Sequence, residues 1–486
     1  MAVALLSGLL VLVATRKGPL LSPDSITYLS AAQHLHAGRG LTDFTGRPLA
    51  VFGPLYPILL SVGGRNLLWA RLVGAAAASV ATALMIVLLR RRVPLTAALV
   101  GGAAFAASQG LVSVASTAWS ESPYLAIALG MLVVLTTEPL TPRRAAIGGL
   151  LAGGGFLTRY AGAGLIVTGA VIVVVASLGR DGRPTARDLG RYGAAAVGTS
   201  AVWMARNTWT TGAPLGPRFS GGAHESIWTL TRRTILSVGQ LVDDRSTTTV
   251  TALVGVAAVA ALAVATIIVL RRRPLRTTDV GVLAFAWSSL IVPIVGRAVT
   301  ASDISPRVMS PMLVPLVYLA VVAIQRAHPW RPAVVAGIVL AGWWMYQGVT
   351  AAQQLPAAVT ETGQARVQAA PELYRLIADL PAAATVLTNN PHSVWWLTGR
   401  EPTLFAFTRP RAGNSHYPLS AAETLTYACR GTTYLAWFDQ LGNAGQGPAE
   451  RRPDLTAILR LTVEQQVRGG ALYRLTARDA ERCPAP

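Results

Sequence analysis

The chain has 486 residues, of which 52% are hydrophobic and 13% charged, and its mean hydropathy is +0.46. A soluble chain of this length would form about three domains, but this composition excludes an assembly of soluble domains and indicates a polytopic membrane protein. The net charge of +20 does not indicate nucleic-acid binding, because most of the excess, 29 basic against 11 acidic residues, falls in residues 1–352 as short arginine clusters between apolar runs.

Five arginine clusters divide the apolar part of the chain. The positive-inside rule places all of them on the cytoplasmic side, so consecutive clusters must enclose two spans and an outer turn. With a first span at residues 2–14, a second at 67–89 and a last near 333–350, we predict about 11 spans, a cytoplasmic amino terminus and an extracytoplasmic carboxyl terminus. The clusters are Arg90–Arg92, Arg143 with Arg144, Arg180 through Arg191, Arg271 through Arg276, and Arg326 with Arg331.

Between the first two spans, residues 15–66 form the predicted first outer loop, which opens with a short helix. Ser22 is a good N-cap, Pro23 suits the first helical position, and Gly38 suits the stop. Asp24 then lies in the first turn, where the helix dipole favours an ionised carboxylate. Such a carboxylate beside the membrane can deprotonate a hydroxyl or hold a metal ion, although a lone acid after a first span is more often solvated or capping.

Later in the chain, residues 93–142 are expected to hold spans near 94–112 and 123–137, and residues 207–247 to form a long outer loop. Counting spans from the clusters places further polar residues at the same membrane face as Asp24. They are Glu121, Arg159 with Tyr160, Arg206 with Asn207, Asp303 and Arg307. Each has a structural explanation, as a helix start, a snorkelling anchor or a charge at a span entrance. Together, two carboxylates and several guanidinium groups can bind a phosphate and activate a hydroxyl.

The last part of the chain, residues 353–486, has a nearly balanced charge and alternating helix and strand patterns. These patterns predict a small extracytoplasmic α/β domain. Helices are predicted at 371–379, 392–397 and 419–428, and strands at 384–388, 403–407, 432–438 and 471–475. Both cysteines of the chain, Cys429 and Cys483, lie here. They form either a disulfide, which is permitted outside the cytoplasm, or two buried free thiols.

A set of short motifs runs through nearly the whole chain. They are Pro23-Asp24-Ser25 with Tyr28-Leu29, Gly38 to Leu41, Phe52 to Pro57, Glu121, Leu157 to Tyr160, Asn207 with Gly212 and Pro214, Arg307 with Pro311, Pro381, Asn389 to Pro391, and Thr398 to Arg400. In combination they resemble the GT-C membrane glycosyltransferases, particularly the bacterial branch related to protein O-mannosyltransferases and aminoarabinose transferases. The resemblance implies a GT-C-like transmembrane domain over residues 1–352.

The resemblance also implies a reaction, the inverting transfer of a sugar from a polyprenyl-phosphate donor to an acceptor hydroxyl at the outer leaflet. By the family pattern, Asp24 is the general base and Glu121 the second acid. The candidates for binding the donor phosphate are Arg159 and Arg307, and those for contacting substrate are Tyr28, Tyr56 and Tyr160. Asp24 and Glu121 are also candidate ligands of a divalent metal. Ser25 stands where many relatives carry a second first-loop acid, and this departure weakens the case for a metal at the first loop, so no cofactor is firmly expected.

The donor sugar and the acceptor are less defined than the reaction. The chain has 41 Arg and a single Lys, Lys17, which suggests a high-GC bacterial genome. Mannose or arabinofuranose is the expected sugar, and a glycan, lipid or protein of the cell envelope the expected acceptor, with the enzyme in the plasma membrane. The competing interpretations are a polytopic transporter or lipid flippase, whose ionisable groups would lie near the midplane, and a non-catalytic envelope-assembly protein.

Overall fold

A computed structural model of the chain shows a helical bundle followed by a small mixed domain. The structure describes residues 1–178, 186–217, 225–243, 246–272, 275–299, 303–327, 331–404, 420–439, 448–451, 453–479 and 483. Parts of two predicted arginine clusters, including Arg180 and Arg273, lie outside these ranges. So do most of the predicted strand 403–407 and the first residue of the predicted helix 419–428.

The bundle consists of helices that follow one another along the chain. They are α1 (Ala2–Ala14), α2 (Pro23–His36), α3 (Leu55–Ser61), α4 (Leu67–Arg90), α5 (Leu95–Ala106), α6 (Gln109–Ser116), α7 (Glu121–Leu135), α8 (Pro142–Thr158), α9 (Ala163–Leu178), α10 (Ala186–Thr211), α11 (Ile227–Val242), α12 (Thr248–Arg271), α13 (Thr277–Val299), α14 (Pro306–Met309), α15 (Leu313–Arg326) and α16 (Arg331–Ala369). Short 3-10 turns at Tyr160–Gly162 and Ser310–Met312 precede α9 and α15.

Several of these helices are long and apolar enough to cross a membrane, so the chain is a multi-pass membrane protein. In the described ranges there are five by length and composition, or six if the bent pair α5 and α6 is one span. The helices α1 and α7 are apolar but shorter. The predicted count of 11 spans is therefore not confirmed.

The predicted span at 94–112 is broken in the structure. Helices α5 and α6 meet at an angle of 50°. The break occurs at Ser108, whose Oγ donates to the Phe105 carbonyl oxygen at 2.8 Å and accepts from the Leu111 amide at 3.3 Å. Because the hydroxyl caps the end of one helix and the start of the next, the backbone can turn there without leaving these polar groups unpaired.

Two further elements differ from the predicted boundaries. The predicted outer loop 207–247 contains α11, whose buried residues recur at helical spacing from Leu230 through Val238 to Leu241. Helix α16 continues to Ala369, so the predicted domain boundary at residue 352 falls inside a helix. Its end comes at Ala370, whose extended φ of −156° is not helical.

The carboxyl-terminal domain contains a five-stranded mixed sheet with helices on both faces. Its elements are α17 (Pro371–Asp379), β1 (Thr385–Thr388), α18 (Pro391–Thr398), β2 (Thr403–Leu404), α19 (Ala421–Arg430), β3 (Thr433–Phe438), α20 (Pro448–Arg451), α21 (Pro453–Thr456), β4 (Leu459–Val467) and β5 (Gly470–Ala477). The strand order is β2-β1-β3-β5-β4, with β1 parallel to both of its neighbours and β5 antiparallel to both of its own.

Alternation along the strands produces two apolar layers in this domain. Val386 and Phe438 pack with α17 and α18 on one face, and Leu387 and Trp437 pack with α19 and α21 on the other. Strand β4 was not predicted, because its outward residues are mostly exposed and polar. Cys429 and Cys483 form a disulfide, which connects α19 to the segment after β5.

Candidate active site

The starts of helices α2 and α7 lie side by side because the segments before them share backbone hydrogen bonds. The Leu20 amide donates to the Ser116 carbonyl at 3.1 Å, and the Ala118 amide donates to the Leu20 carbonyl at 3.2 Å. This pairing forms an isolated parallel bridge. Since Asp24 and Glu121 are in the first turns of the two helices, the bridge brings the two predicted acids to one place.

Capping fixes the start of α2. The Ser22 Oγ accepts from the Ser25 amide at 3.2 Å, and the Ser25 Oγ accepts from the Ser22 amide at 3.1 Å. With Pro23 at the first helical position, this capping box holds the turn that carries Asp24. Ser25 therefore has a structural role in this chain.

Arg307 joins the two acids. Its Nη1 lies 2.5 Å from the Asp24 Oδ2, and its Nε donates to the Glu121 Oε1. Arg159, at the carboxyl-terminal cap of α8, places its Nη1 2.6 Å from the same Glu121 oxygen. The structure thus brings the four predicted residues Asp24, Glu121, Arg159 and Arg307 into one group of contacts.

The two acids of this group differ in exposure. The side chain of Glu121 is fully buried and faces two guanidinium groups, whereas that of Asp24 is 27% exposed and contacts Arg307. A carboxylate buried between two cations is held in its ionised form as a structural counter-charge. Asp24 is therefore the more accessible of the two acids.

The first outer loop packs tightly against the end of α8 beside Arg159. A Cβ atom on Gly53 would lie 2.1 Å from the Leu157 carbonyl oxygen, so only glycine permits this approach. Tyr160 secures the same loop, because its hydroxyl donates to the Ala50 carbonyl at 2.5 Å and accepts from the Asn207 Nδ2 at 3.0 Å. Tyr160, predicted as a substrate contact, is therefore engaged with the loop backbone.

Arg206 and Asp303, two other residues predicted at this face, are placed differently from the acids. The Arg206 Nη1 donates to the Leu49 carbonyl at 2.5 Å, so this guanidinium also holds the first outer loop. Asp303 is exposed. The predicted polar face thus contains a core of four charged groups and a second set that secures the loop over them.

Tyr28 and Tyr56 form an aromatic wall behind the acids. Their rings meet edge to face at 5.0 Å, and the ring of Phe52 lies 4.9 Å from that of Tyr28. Burial raises the pKa of the Tyr28 phenol, with further contributions from the charges of Glu121 and Asp24, and burial also raises that of Tyr56. Both phenols therefore stay protonated, and the Tyr28 hydroxyl pairs with the Ser120 Oγ at 3.1 Å.

Trp119 is a residue of the site that the sequence analysis did not assign. Its ring lies 4.0 Å from the Arg307 guanidinium carbon, and its Nε1 donates to the Ser22 Oγ at 2.6 Å. It thus links the cap of α2 to the central guanidinium through a cation–π contact. The available signal was its position two residues before Glu121 at the predicted helix start.

A divalent metal does not fit this arrangement. Within the described ranges, no group of three or more His, Cys, Asp or Glu side chains is placed to hold an ion. Asp24 and Glu121 are each paired with a guanidinium, so an ion between them would face Arg307 and Arg159 at short range. His34 and His36 face different partners, Thr42 and the Ser61 carbonyl, as expected of residues that do not share a ligand.

The cluster Arg90–Arg92 lies near the opposite end of α7 from these acids. Arg91 donates to the Val133 carbonyl at 2.7 Å and to the Thr137 Oγ1 at 2.5 Å, at the carboxyl-terminal end of α7. Glu121 is the first residue of the same helix. The relative placement predicted from charge distribution, with acids and arginine clusters at opposite ends, is therefore present in α7.

Comparison with known proteins gives no match to a protein-family model or to a curated protein. Solved structures do match. ArnT from Cupriavidus metallidurans bound to undecaprenyl phosphate aligns at a TM-score of 0.63 and 13% identity, covering 100% of this chain and 99% of that one. The oligosaccharyltransferase AglB from Archaeoglobus fulgidus, in complex with an inhibitory peptide and a dolichol-phosphate, aligns at a TM-score of 0.55 and 13% identity, covering 90% and 69%.

A third similar structure is the arabinofuranosyltransferase AftD from Mycobacteria, with a TM-score of 0.51 and 15% identity over 98% of this chain and 41% of that one. All three are GT-C glycosyltransferases. At these identities the similarity establishes architecture, and the first alignment covers both chains nearly in full. The protein therefore has the GT-C fold of membrane glycosyltransferases, as the motifs had indicated.

Proposed function

We propose that the protein is a glycosyltransferase that moves a sugar from a polyprenyl-phosphate donor to an acceptor hydroxyl of the cell envelope, with inversion. The observation that carries the proposal is the meeting of a partly exposed carboxylate, a buried carboxylate and two guanidinium groups at the ends of four helices. The similar ArnT structure is bound to undecaprenyl phosphate and the similar AglB structure to a dolichol-phosphate, which supports a lipid-linked donor.

The proposed chemistry follows from the difference between the two acids. Asp24 accepts the proton of the acceptor hydroxyl as the acceptor oxygen attacks the anomeric carbon from the face opposite the phosphate. The bond from that carbon to the phosphate oxygen breaks, and the electron pair stays on the phosphate. Arg307 and Arg159 neutralise the developing charge, and Glu121 holds both guanidinium groups in position.

Arg307 also couples donor binding to the activation of Asp24. In the structure its Nη1 contacts the Asp24 carboxylate. A donor phosphate that binds this guanidinium breaks its ion pair with Asp24 and leaves the carboxylate available as a base. The base is then released only when a donor is bound.

Sidedness and substrates belong to the same proposal. Glu121 and Arg91 lie at opposite ends of α7, and following the positive-inside rule we assign the acids to the extracytoplasmic face of the plasma membrane. The amino terminus is then cytoplasmic and the carboxyl-terminal domain extracytoplasmic. Mannose and arabinofuranose are the proposed sugars, and a glycan, a lipid or a protein the proposed acceptor.

The test uses purified protein in proteoliposomes with radiolabelled polyprenyl-phosphate mannose and polyprenyl-phosphate arabinofuranose. We expect the wild type to consume one donor, and Asp24→Asn to lower the rate by roughly 10²- to 10⁴-fold while polyprenyl-phosphate binding persists. Asp303→Asn, which alters an exposed acid in the segment before α14, is the matched control.

Two outcomes would contradict this assignment. Full transfer by Asp24→Asn would remove Asp24 as the base. Movement of labelled lipid across the liposome membrane without loss of its sugar, in wild type and variant alike, would instead support a flippase.

A further inference from the structure

Helix α2 is held between the bundle and the carboxyl-terminal domain. Ile26, two residues after Asp24, is buried in a cluster with Phe44 and Trp395, and Trp395 belongs to α18 of the carboxyl-terminal domain. The neighbouring Trp396 packs against this cluster and also against the one that contains Tyr28. The carboxyl-terminal domain therefore contacts the helix of the proposed base within one turn of that base.

A single carboxylate of the carboxyl-terminal domain binds the far end of α2. The Glu401 Oε1 lies 2.5 Å from the Arg39 Nη1 and 3.3 Å from the Nε2 of the buried His34. The other ring nitrogen of His34 is bonded to the Thr42 Oγ1 at 2.9 Å. A Cβ on Gly46 would lie 3.2 Å from the Glu401 Oε2, so the loop after α2 also closes against this carboxylate.

A guanidinium from the first outer loop completes the contact from the opposite direction. The guanidinium carbon of Arg65 lies 4.8 Å from the ring of Trp395 and 4.5 Å from that of Trp396, and its Nη2 donates to the Trp396 carbonyl oxygen. The rings of Phe44 and His392 meet at 4.5 Å. The Arg65 guanidinium of the bundle thus contacts α18, while the Glu401 carboxylate of the carboxyl-terminal domain contacts the end of α2.

We infer that the carboxyl-terminal domain is a positioning element for the transfer reaction, and that Glu401 and Arg65 are positioning residues that act through Asp24. This inference rests on the proposed function. A capped helix moves as a unit, so fixing α2 at Ile26 and at His34 fixes the Asp24 carboxylate relative to Glu121. A displacement of about 1 Å at a reacting group can reduce a rate by about 100-fold.

We call the contacts of Glu401 and Arg65 that hold α2 the clamp. Loosening the clamp should affect kcat and the donor KM differently. In the proposed function, donor phosphate binding depends on Arg159 at the cap of α8 and Arg307 in α14, neither of which contacts Glu401 or Arg65 in the ion pairs described. Loosening α2 therefore lowers kcat and leaves the KM for the lipid-linked sugar nearly unchanged.

The experiment measures kcat and donor KM for Glu401→Gln, Arg65→Ala and Arg65→Lys in the full-length protein. We expect kcat to fall at least about tenfold in Glu401→Gln and Arg65→Ala with donor KM within about twofold, and partial recovery in Arg65→Lys, whose ammonium still faces the rings. Glu464→Gln, at an exposed acid on β4, is the control that should match the wild type. Wild-type kcat in the first two variants, or a raised KM with an unchanged kcat, overturns the inference.

A second readout does not depend on catalysis. Hydrogen exchange of the α2 backbone amides should accelerate in Glu401→Gln and Arg65→Ala, and not in Glu464→Gln, with thermal unfolding confirming that every variant is folded. If the wild type transfers no sugar, the proposed function fails. The exchange measurement still shows whether the carboxyl-terminal domain holds α2. Unchanged α2 exchange in both clamp variants would show that the domain does not hold the helix.

Discussion

Arg307 forms contacts with both acids through different atoms of one planar group. Its Nη1 faces Asp24, its Nε faces Glu121, and its guanidinium lies over the ring of Trp119. A lysine ammonium is a point charge without this fork, so it cannot satisfy both carboxylates and the aromatic face in the same geometry. The identity of this residue as arginine is therefore part of the site.

We predict that Arg307→Gln and Arg307→Lys both lose transfer, by about 100-fold or more, because removing a preorganised group that stabilises developing charge has effects of this size. Arg307→Lys should retain more binding of polyprenyl phosphate than Arg307→Gln, since the positive charge remains. Transfer and lipid binding are measured on the same preparations, with Arg232→Gln on the exposed face of α11 as the control. Wild-type transfer by Arg307→Gln would show that this guanidinium has no catalytic role.

The same pairing predicts how the proposed transfer reaction responds to chelators. Because the carboxylates of Asp24 and Glu121 are neutralised by guanidinium groups, we expect transfer to stay within about twofold of its initial rate after dialysis against EDTA. Mg²⁺ or Mn²⁺ added back should produce no stimulation. A rate that collapses in EDTA and returns with one of these ions would contradict the expectation.

At the scale of single residues, charge carried most of the information in the sequence. Asp24, Glu121, Arg159 and Arg307 could be grouped because charged residues are costly inside apolar spans and therefore mark their ends, and counting spans places them at one face. Trp119 could not be assigned, because an aromatic residue at a membrane interface has many uses. Its role follows from a ring contact that depends on where α14 returns to α7.

Helix α2 contains a buried histidine, His34, whose protonation makes the stability of the folded protein depend on pH. Burial, and then the positive charge of Arg39, lowers the pKa of His34, and the charge of Glu401 opposes this in part. In the unfolded chain a histidine binds a proton below about pH 6.5. The folded protein takes up this proton only at lower pH. Just below pH 6.5 the unfolded state therefore binds more protons than the folded state, and the free energy of unfolding decreases as the pH falls.

We therefore predict that the midpoint of thermal unfolding decreases between pH 7.5 and pH 5.5, and that His34→Gln reduces this dependence. His36→Gln changes an exposed residue two positions away and serves as the matched control. Measurements at several pH values in one detergent give the slopes. Equal slopes for wild type and His34→Gln would indicate that other groups cause the effect.

Elements of the carboxyl-terminal domain followed the sequence more closely than those of the bundle. Helix α17 occupies the predicted residues 371–379, and β1, α18 and β3 agree within one residue at each end. In the bundle, the break at Ser108 and the helix α11 were not predicted. Apolar residues surround membrane helices on all sides, so hydropathy reports a long apolar run without reporting where a serine caps a turn inside it.

For the whole molecule, the disulfide between Cys429 and Cys483 provides a test of domain stability and of sidedness. A crosslink that closes a loop over a sequence separation of 54 contributes on the order of 4 kcal/mol in the chain-entropy model. We predict that reduction, or the double change Cys429→Ser with Cys483→Ser, lowers the unfolding temperature of the carboxyl-terminal domain. The serine variant should then be insensitive to reductant.

Labelling intact cells before and after reduction tests on which side of the membrane the two cysteines lie. An impermeant thiol reagent should modify the two cysteines only after an external reductant has been applied, because the proposed orientation places them outside the cytoplasm. Labelling that requires permeabilised cells would contradict that orientation.

The overall class of the molecule was accessible from composition, and its two-part organisation from the change in charge near residue 353. The predicted number of 11 spans is not confirmed, because helices such as α1 and α7 are apolar but too short to count as spans by length. The arrangement of the acids relative to each other was also beyond the sequence, because it depends on a backbone contact between segments distant in the chain.

That contact, between Leu20 and the segment Ser116 to Ala118, uses amide and carbonyl groups alone. Main-chain groups are the same in nearly every residue, so mutation can replace the side chains along both segments while the two helix starts remain aligned. The fold can therefore be retained after sequence similarity is no longer detectable. A search for relatives of this protein should give more weight to the backbone geometry at these two helix starts than to the amino acids found there.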